Sequence, residues 1–266
     1  MKEGAGFIVH RPFPVPGLSY LDPILLVDEM GPVRYGPGEA VGAPDHPHRG
    51  FETVTYIIDG AMQHEDSRGH RGVIRSGDVQ WMTAGAGVIH SEMPTAEMLR
   101  DGGLMHGFQI WVNLPRERKM MQPRYQEYES AALPAVSGDG RWVRVLAGEF
   151  EGRRSPIETV VPTTMLHLRL DAGIRSAFRV AEGSNVVVHA VDGSASVDGA
   201  HVNRYEVALI ENTQGTIEIE AGDSGFDALL IAGKPLGEPV SRYGPFVMNT
   251  HEEIAEAIAD LQAGRF

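Results

Sequence analysis

The sequence predicts an all-β protein built as two tandem β-barrels or sandwiches with one short C-terminal α-helix, and three observations predict it. Short runs rich in β-branched and aromatic residues recur along most of the chain, Gly, Asp and Pro turns separate them at intervals of about 8 to 12 residues, and helical spacing shows only near the end. The length of 266 residues exceeds the ~150 that a single core needs, so two domains are expected.

In the first half, residues 51–58 (FETVTYII) read as a strand closed by the turn Asp59-Gly60, residues 79–83 as a strand opened by Ser76-Gly77-Asp78, and residues 106–114 (HGFQIWVNL) as a third. A Pro- and charge-rich stretch, 115–134, interrupts the pattern and marks the boundary between a first domain, 1–128, and a second, 135–266. The second half repeats the theme at 165–170, 185–191, 206–210, 216–220 and 227–232, each bounded by Gly, Asp or Asn. At the end, Thr250 and Glu253 form a capping box, Ile254, Ile258 and Leu261 follow at helical spacing, and Gly264 supplies the stop, which gives a helix at about 250–263. Its apolar stripe is narrow and its other face acidic, as suits a lid packed on a barrel better than a membrane-surface helix.

Composition narrows the function. The 23 Lys and Arg against 36 Asp and Glu leave a formal charge of -13, a field that repels phosphate backbones and anionic lipid, so no direct nucleic-acid or membrane binding is expected. No apolar run approaches the ~18 residues of a membrane span, and the N-terminal MKEGAGFIVHRPFPVPG is broken by His10, Arg11 and prolines before a signal-peptide core could form. A soluble, cytoplasmic protein is expected. The absence of cysteine excludes disulfides, thiolate metal sites and cysteine nucleophiles. Any metal must be held by His, Asp or Glu, and six of the eleven histidines fall between His46 and His106.

Residues two apart on a strand share a face, so His46 and His48 in HPHRGFET send both imidazoles to one side. The segment GDVQWMTAGAGVIHSEMP ends in a second pair at the same spacing, His90 and Glu92, after the flexible run Ala84-Gly85-Ala86-Gly87. If the two strands are neighbours, three imidazoles and one carboxylate converge, a set suited to a divalent first-row metal with open positions for small-molecule binding or catalysis. Glu52, read on the same strand face as His48, competes with Glu92 as ligand or orients an imidazole. His64 and His106 could line the same cavity, though each alone also fits a polar residue at a strand end. His10, His70 and His251 fall in turns or termini, and His167, His189 and His201 lack a partner two residues away, so none is assigned chemistry. Trp81 and Trp111 read as core or pocket wall, and Met62, Met82, Met93 and Met105 as packing. Neither a G-x-S-x-G elbow, nor a phosphate loop, nor a dinucleotide glycine fingerprint is present.

DHPHRGFE from Asp45, GDVQWMTAGAGVIHSEMP, HGFQIWVNL, LIAGKPLGEPV and GPFVMNTHEEI together resemble the pirin family of the cupin superfamily, in order and over nearly the whole chain. The resemblance implies a bicupin: two cupin-type β-barrels with metal only in the first, in keeping with a second half that holds no His-x-His or His-x-Glu. It implies iron at His46, His48, His90 and Glu92, and leaves Glu52 outside the ligand set. Some animal members carry a basic residue between the two glycines before the third histidine, where this chain has Ala86. The activity it implies is that of a quercetin 2,3-dioxygenase, a metal-dependent opening of a flavonol ring by O2, with Glu92 or Glu52 as the base that accepts the substrate proton. The alternative it implies is a redox-sensing module that binds a protein partner, as a transcription coregulator or on a metabolic enzyme, without catalysis of its own. The -13 charge and the lack of a nuclear-localisation cluster stand against the nuclear version.

Overall fold

The computed structural model describes residues 1–266. Antiparallel strands dominate, and the only α-helices are Ala96–Asp101 and His251–Gln262, as the all-β reading requires. The chain divides into two compact units, one made of residues 1–20, 24–130 and 237–266, the other of 21–23 and 131–236.

Two large sheets and the small hairpin Ser241–Tyr243 with Phe246–Met248 form the first unit. A seven-stranded sheet runs in the order Lys2–Glu3, Phe7–Phe13, Ile24–Tyr35, Gly103–Asn113, Phe51–Asp59, Val79–Thr83, Arg124–Tyr128. A four-stranded sheet runs Ala43–His48, Val88–Pro94, Ala61–Asp66, Arg71–Arg75. The strand Val88–Pro94 alternates: the side chains of Val88, His90, Glu92 and Pro94 are buried and those between are half-exposed, the period-two pattern of a sheet with one covered face. The Pro- and charge-rich stretch 115–134, which interrupts the strand pattern in the sequence, contributes a strand to the first unit, since Arg124–Tyr128 pairs with Val79–Thr83 at the sheet edge.

In the second unit, Thr216–Gly233 is flanked by Thr163–Leu170 and Asn185–Val197 over an apolar core that includes Phe150, Phe178, Leu166, Ile217 and Leu230. The two strands expected at 216–220 and 227–232 are one continuous strand. Gly222 and Gly225, which read as turn residues, lie instead at an irregularity where the paired strand shifts register between Gly193 and Ala195, a place where a chain bends without ending its ladder.

The terminal helix forms where the sequence puts it, with both halves of the Thr250–Glu253 capping box made. Its surroundings differ from the expected end of the second domain. Ile254 and Ala257 are buried against Phe246 and Met248, and the whole segment 237–266 belongs to the first unit. The reason is local bonding: the Arg49 amide donates to the Pro245 carbonyl and the Val247 amide to the Arg49 carbonyl, which draws the returning chain onto the loop after His48.

Candidate metal centre

Cross-strand register assembles the centre. His46 pairs directly with His90, and an irregularity at Pro44–Asp45 lets Ala43 oppose Glu92. Directly opposed residues share a face, so His46, His48, His90 and Glu92 all project to the same side. The ring centroids of His46 and His90 are 4.4 Å apart, those of His46 and His48 4.7 Å, and those of His48 and His90 5.0 Å. One ring nitrogen from each histidine lies within 4.8 Å of the other two.

Tautomers follow from hydrogen bonds. A carbonyl can only accept, so His46 Nδ1 donates to the Pro44 oxygen at 2.8 Å, which leaves Nε2 with a free lone pair. His48 bonds the Pro245 carbonyl, while its Nδ1 and both nitrogens of His90 are buried without any hydrogen-bond partner. Burial first, then the neighbouring histidines, hold His48 and His90 well below the ordinary imidazole value. Neutral imidazoles with buried, orphaned nitrogens are costly unless something electron-poor sits among them. A divalent first-row metal answers that need, and the donor set fits one.

Glu92 is buried beside the triad but is not one of the converging atoms. Its Oε1 accepts from Thr55 Oγ1 at 2.8 Å and from Gln109 Nε2 at 3.0 Å, and its Oε2 accepts from Gln109 at 2.9 Å. Thr55 and Gln109 are directly opposed on neighbouring strands of the larger sheet, a pairing with no signature in linear sequence. A cavity of about 560 Å3 opens beside these groups, walled by His46, His48, Glu92, Gln109, Trp111 and Arg242, a size typical of small-molecule sites.

The loops that carry the histidines are clamped by the returning segment 237–266, which sequence reasoning did not connect to the site. Arg49 Nε donates to the Ala86 carbonyl at 2.6 Å, its Nη1 pairs with Asp260 at 2.8 Å, and its guanidinium lies 4.3 Å from the Phe266 ring centre. Arg242 stacks 4.7 Å over Trp111, which in turn meets the edge of His48.

Residues 6–112 match the family description Pirin, and residues 165–266 match the Pirin C-terminal cupin domain. The chain belongs to the pirin family. Pirin of Rattus norvegicus is 43% identical over 269 residues, covering 98% of this chain and 88% of that protein. Among solved structures, a quercetin 2,3-dioxygenase from Acinetobacter baumannii aligns with a TM-score of 0.93 at 39% identity, over 99% of this chain and 93% of that one. The fold extends to the bacterial pirin YhhW of Escherichia coli, solved with nickel(II), at a TM-score of 0.64 and 23% identity over 84% and 87% of the two chains.

Three residues weighed as neighbours of this pirin-family centre are engaged by other partners. Glu52 was read on the face of His48, but Gly50, at φ +91°, ends that strand, and Phe51–Asp59 starts anew in the other sheet. Period two then puts Glu52 on the face opposite Thr55, where it is fully buried and accepts from Thr83 Oγ1 at 2.6 Å. His106 is engaged with buried Glu29 at 2.7 Å. His64 opposes Glu92 in register but bonds His70 at 2.8 Å, so a histidine assigned no chemistry becomes its partner.

Proposed function

We propose that the chain is a mononuclear metal-dependent oxidoreductase of the quercetin 2,3-dioxygenase type, opening a flavonol ring with O2 and releasing carbon monoxide, with iron held by His46, His48, His90 and Glu92. The observation that carries this reading is the set of three imidazoles, converging within 4.8 Å, at the edge of a cavity of a size typical of small-molecule sites. The 39% identical neighbour titled a quercetin 2,3-dioxygenase supports the choice of reaction. The same donors also accept manganese, cobalt, nickel, copper or zinc, so the choice of iron rests on the family.

When bound, iron supplies Lewis-acid and one-electron chemistry toward a flavonol oxygen and O2. The rest falls to the chain. Glu92, held at the cavity by Thr55 and Gln109, would take the proton of the flavonol 3-hydroxyl on the carboxylate oxygen it does not lend to the metal, the step that makes the ring electron-rich at the carbons to be cleaved. Trp111 gives the cavity an apolar wall, and the Arg242 guanidinium stacked on it fixes that indole in place. The cavity beside the donors brings the flavonol oxygen and O2 close together, replacing an encounter by a positioned pair.

The test is aerobic flavonol turnover by the iron-loaded chain, followed by absorbance and by carbon monoxide release. Oxygen-dependent decay is expected, with His90→Ala at least ~100-fold slower, on the scale of losing an assembled centre. If flavonol is stable with the loaded chain, or His90→Ala matches the parent, the dioxygenase reading fails and the protein-binding module takes its place.

A further inference from the structure

A second group of donor atoms comes from both sheets: His64 from the strand Ala61–Asp66, His70 from the turn before Arg71–Arg75, and Glu127 from the edge strand Arg124–Tyr128. His64 Nε2 and His70 Nδ1 face each other at 2.8 Å, and Glu127 Oε1 lies 3.8 Å from the first and 3.9 Å from the second. All three atoms lie within 4.8 Å of one another. None of them belongs to the His46, His48, His90 triad, although the His64 ring is 6.1 Å from that of His90.

The arrangement is held from several sides. Asp66 Oδ1 accepts the backbone N–H groups of Arg68 and His70 at 2.9 and 2.8 Å, which shapes the turn that folds His70 back over His64. The Tyr125 ring stacks on His70 at 4.2 Å and 7° and so fixes the plane of the imidazole. Gln80 Nε2 donates to Glu127 Oε1 at 2.6 Å. Tyr125 and Glu127 are two apart on one strand, so both reach the same face. The His64 side chain is fully buried, whereas those of His70 and Glu127 are 36% and 33% exposed, so an ion can enter from solvent.

We propose that His64, His70 and Glu127 form a second divalent-cation site, which takes zinc or a similar first-row ion through two imidazole nitrogens and one carboxylate oxygen, with water in the remaining positions. The movements required are small. Zinc–nitrogen bonds of ~2.0–2.1 Å in tetrahedral array set nitrogens ~3.3 Å apart, so the two imidazoles part by roughly half an ångström as the shared proton leaves, and Glu127 closes by a similar amount. The two partly exposed residues can make both adjustments. The orienting bonds from Asp66, Tyr125 and Gln80 are the kind of outer support that metal-binding side chains use.

The experiment strips the full-length chain with a chelator and titrates it with zinc against a chromophoric competitor, so that the readout is stoichiometry and affinity rather than activity. The parent is expected to bind two ions. The variant His46→Ala/His48→Ala isolates the second site and is expected to bind one, which His70→Ala on that background abolishes and Glu127→Gln weakens at least ~10-fold. Circular dichroism and thermal unfolding check that the variants are folded, and Glu127→Gln, a near-isosteric change at a partly exposed residue, serves if His70→Ala is not. The proposal is overturned if His46→Ala/His48→Ala binds no zinc, or if its ion survives His70→Ala or Glu127→Gln unchanged. Because that background lacks the first centre, the outcome is independent of whether the dioxygenase reading stands.

Discussion

Lys119 joins both parts of the first unit through one buried ammonium. Its Nζ donates to the Gly50 carbonyl at 2.8 Å, to Asn113 Oδ1 at 2.7 Å and to the Val247 carbonyl at 3.0 Å. Burial lowers its pKa from 10.5 to about 8. Because the unfolded chain then holds a proton that the folded chain has released, stability rises with pH from about 8 to about 10.5 and the penalty is fully present below that window. The full swing is on the order of 3 kcal/mol. Denaturant unfolding of the parent and of Lys119→Met at matched pH should show this slope in the parent alone; parallel curves would refute it. In sequence, Lys119 is one charge in a basic run, because nothing local announces the two backbone carbonyls that reach it from distant segments, Gly50 and Val247. The histidine triad was legible for the converse reason, since the two-residue spacing that shows a shared face is written in consecutive letters. Thr55 and Gln109 were not, and Glu52 misled, because strand identity after Gly50 depends on a backbone angle.

At the scale of elements, Gly50 is the joint at which the histidine-bearing strand stops and a strand of the other sheet begins. Its φ of +91° disfavours any side chain, and a Cβ there would lie 2.0 Å from the Val247 carbonyl oxygen. Gly50→Ala is therefore expected to cost at least ~3 kcal/mol from combined strain and overlap, and to weaken metal binding as His48 shifts; calorimetric unfolding and metal titration measure the two effects. A variant with parental stability would show that the returning segment is looser than drawn. The strands themselves were largely readable: Val79–Thr83 and the helix His251–Gln262 stand within a residue or so of expectation, since turn residues and a capping box bound them. The strand Thr216–Gly233 was split in the reading because a glycine in a bulge and a glycine in a turn look alike in a single sequence.

For the whole molecule, the pairing of two β units was visible in the repeating strand pattern, but the path of the last thirty residues was not, because it depends on Arg49 bonding to Pro245 and Val247 and on Lys119 bonding to Val247. A chain truncated after Leu236 should lose the lining of Arg242 and the clamp on the Ala84–Gly87 loop. Equilibrium dialysis is expected to show at least ~10-fold weaker zinc binding at the His46, His48, His90 centre, while near-ultraviolet circular dichroism retains the signature of the packed second unit; unchanged affinity would assign the clamp no role. No helix is long and apolar enough to cross a membrane.

Because the first unit is interrupted by the second, the order of synthesis is set against the order of assembly. A ribosome moving from the N-terminus delivers residues 131–236 before residues 237–266, and domains tend to fold as they emerge. The unit translated later can therefore finish first, while the histidine loops wait for the tail that locks them.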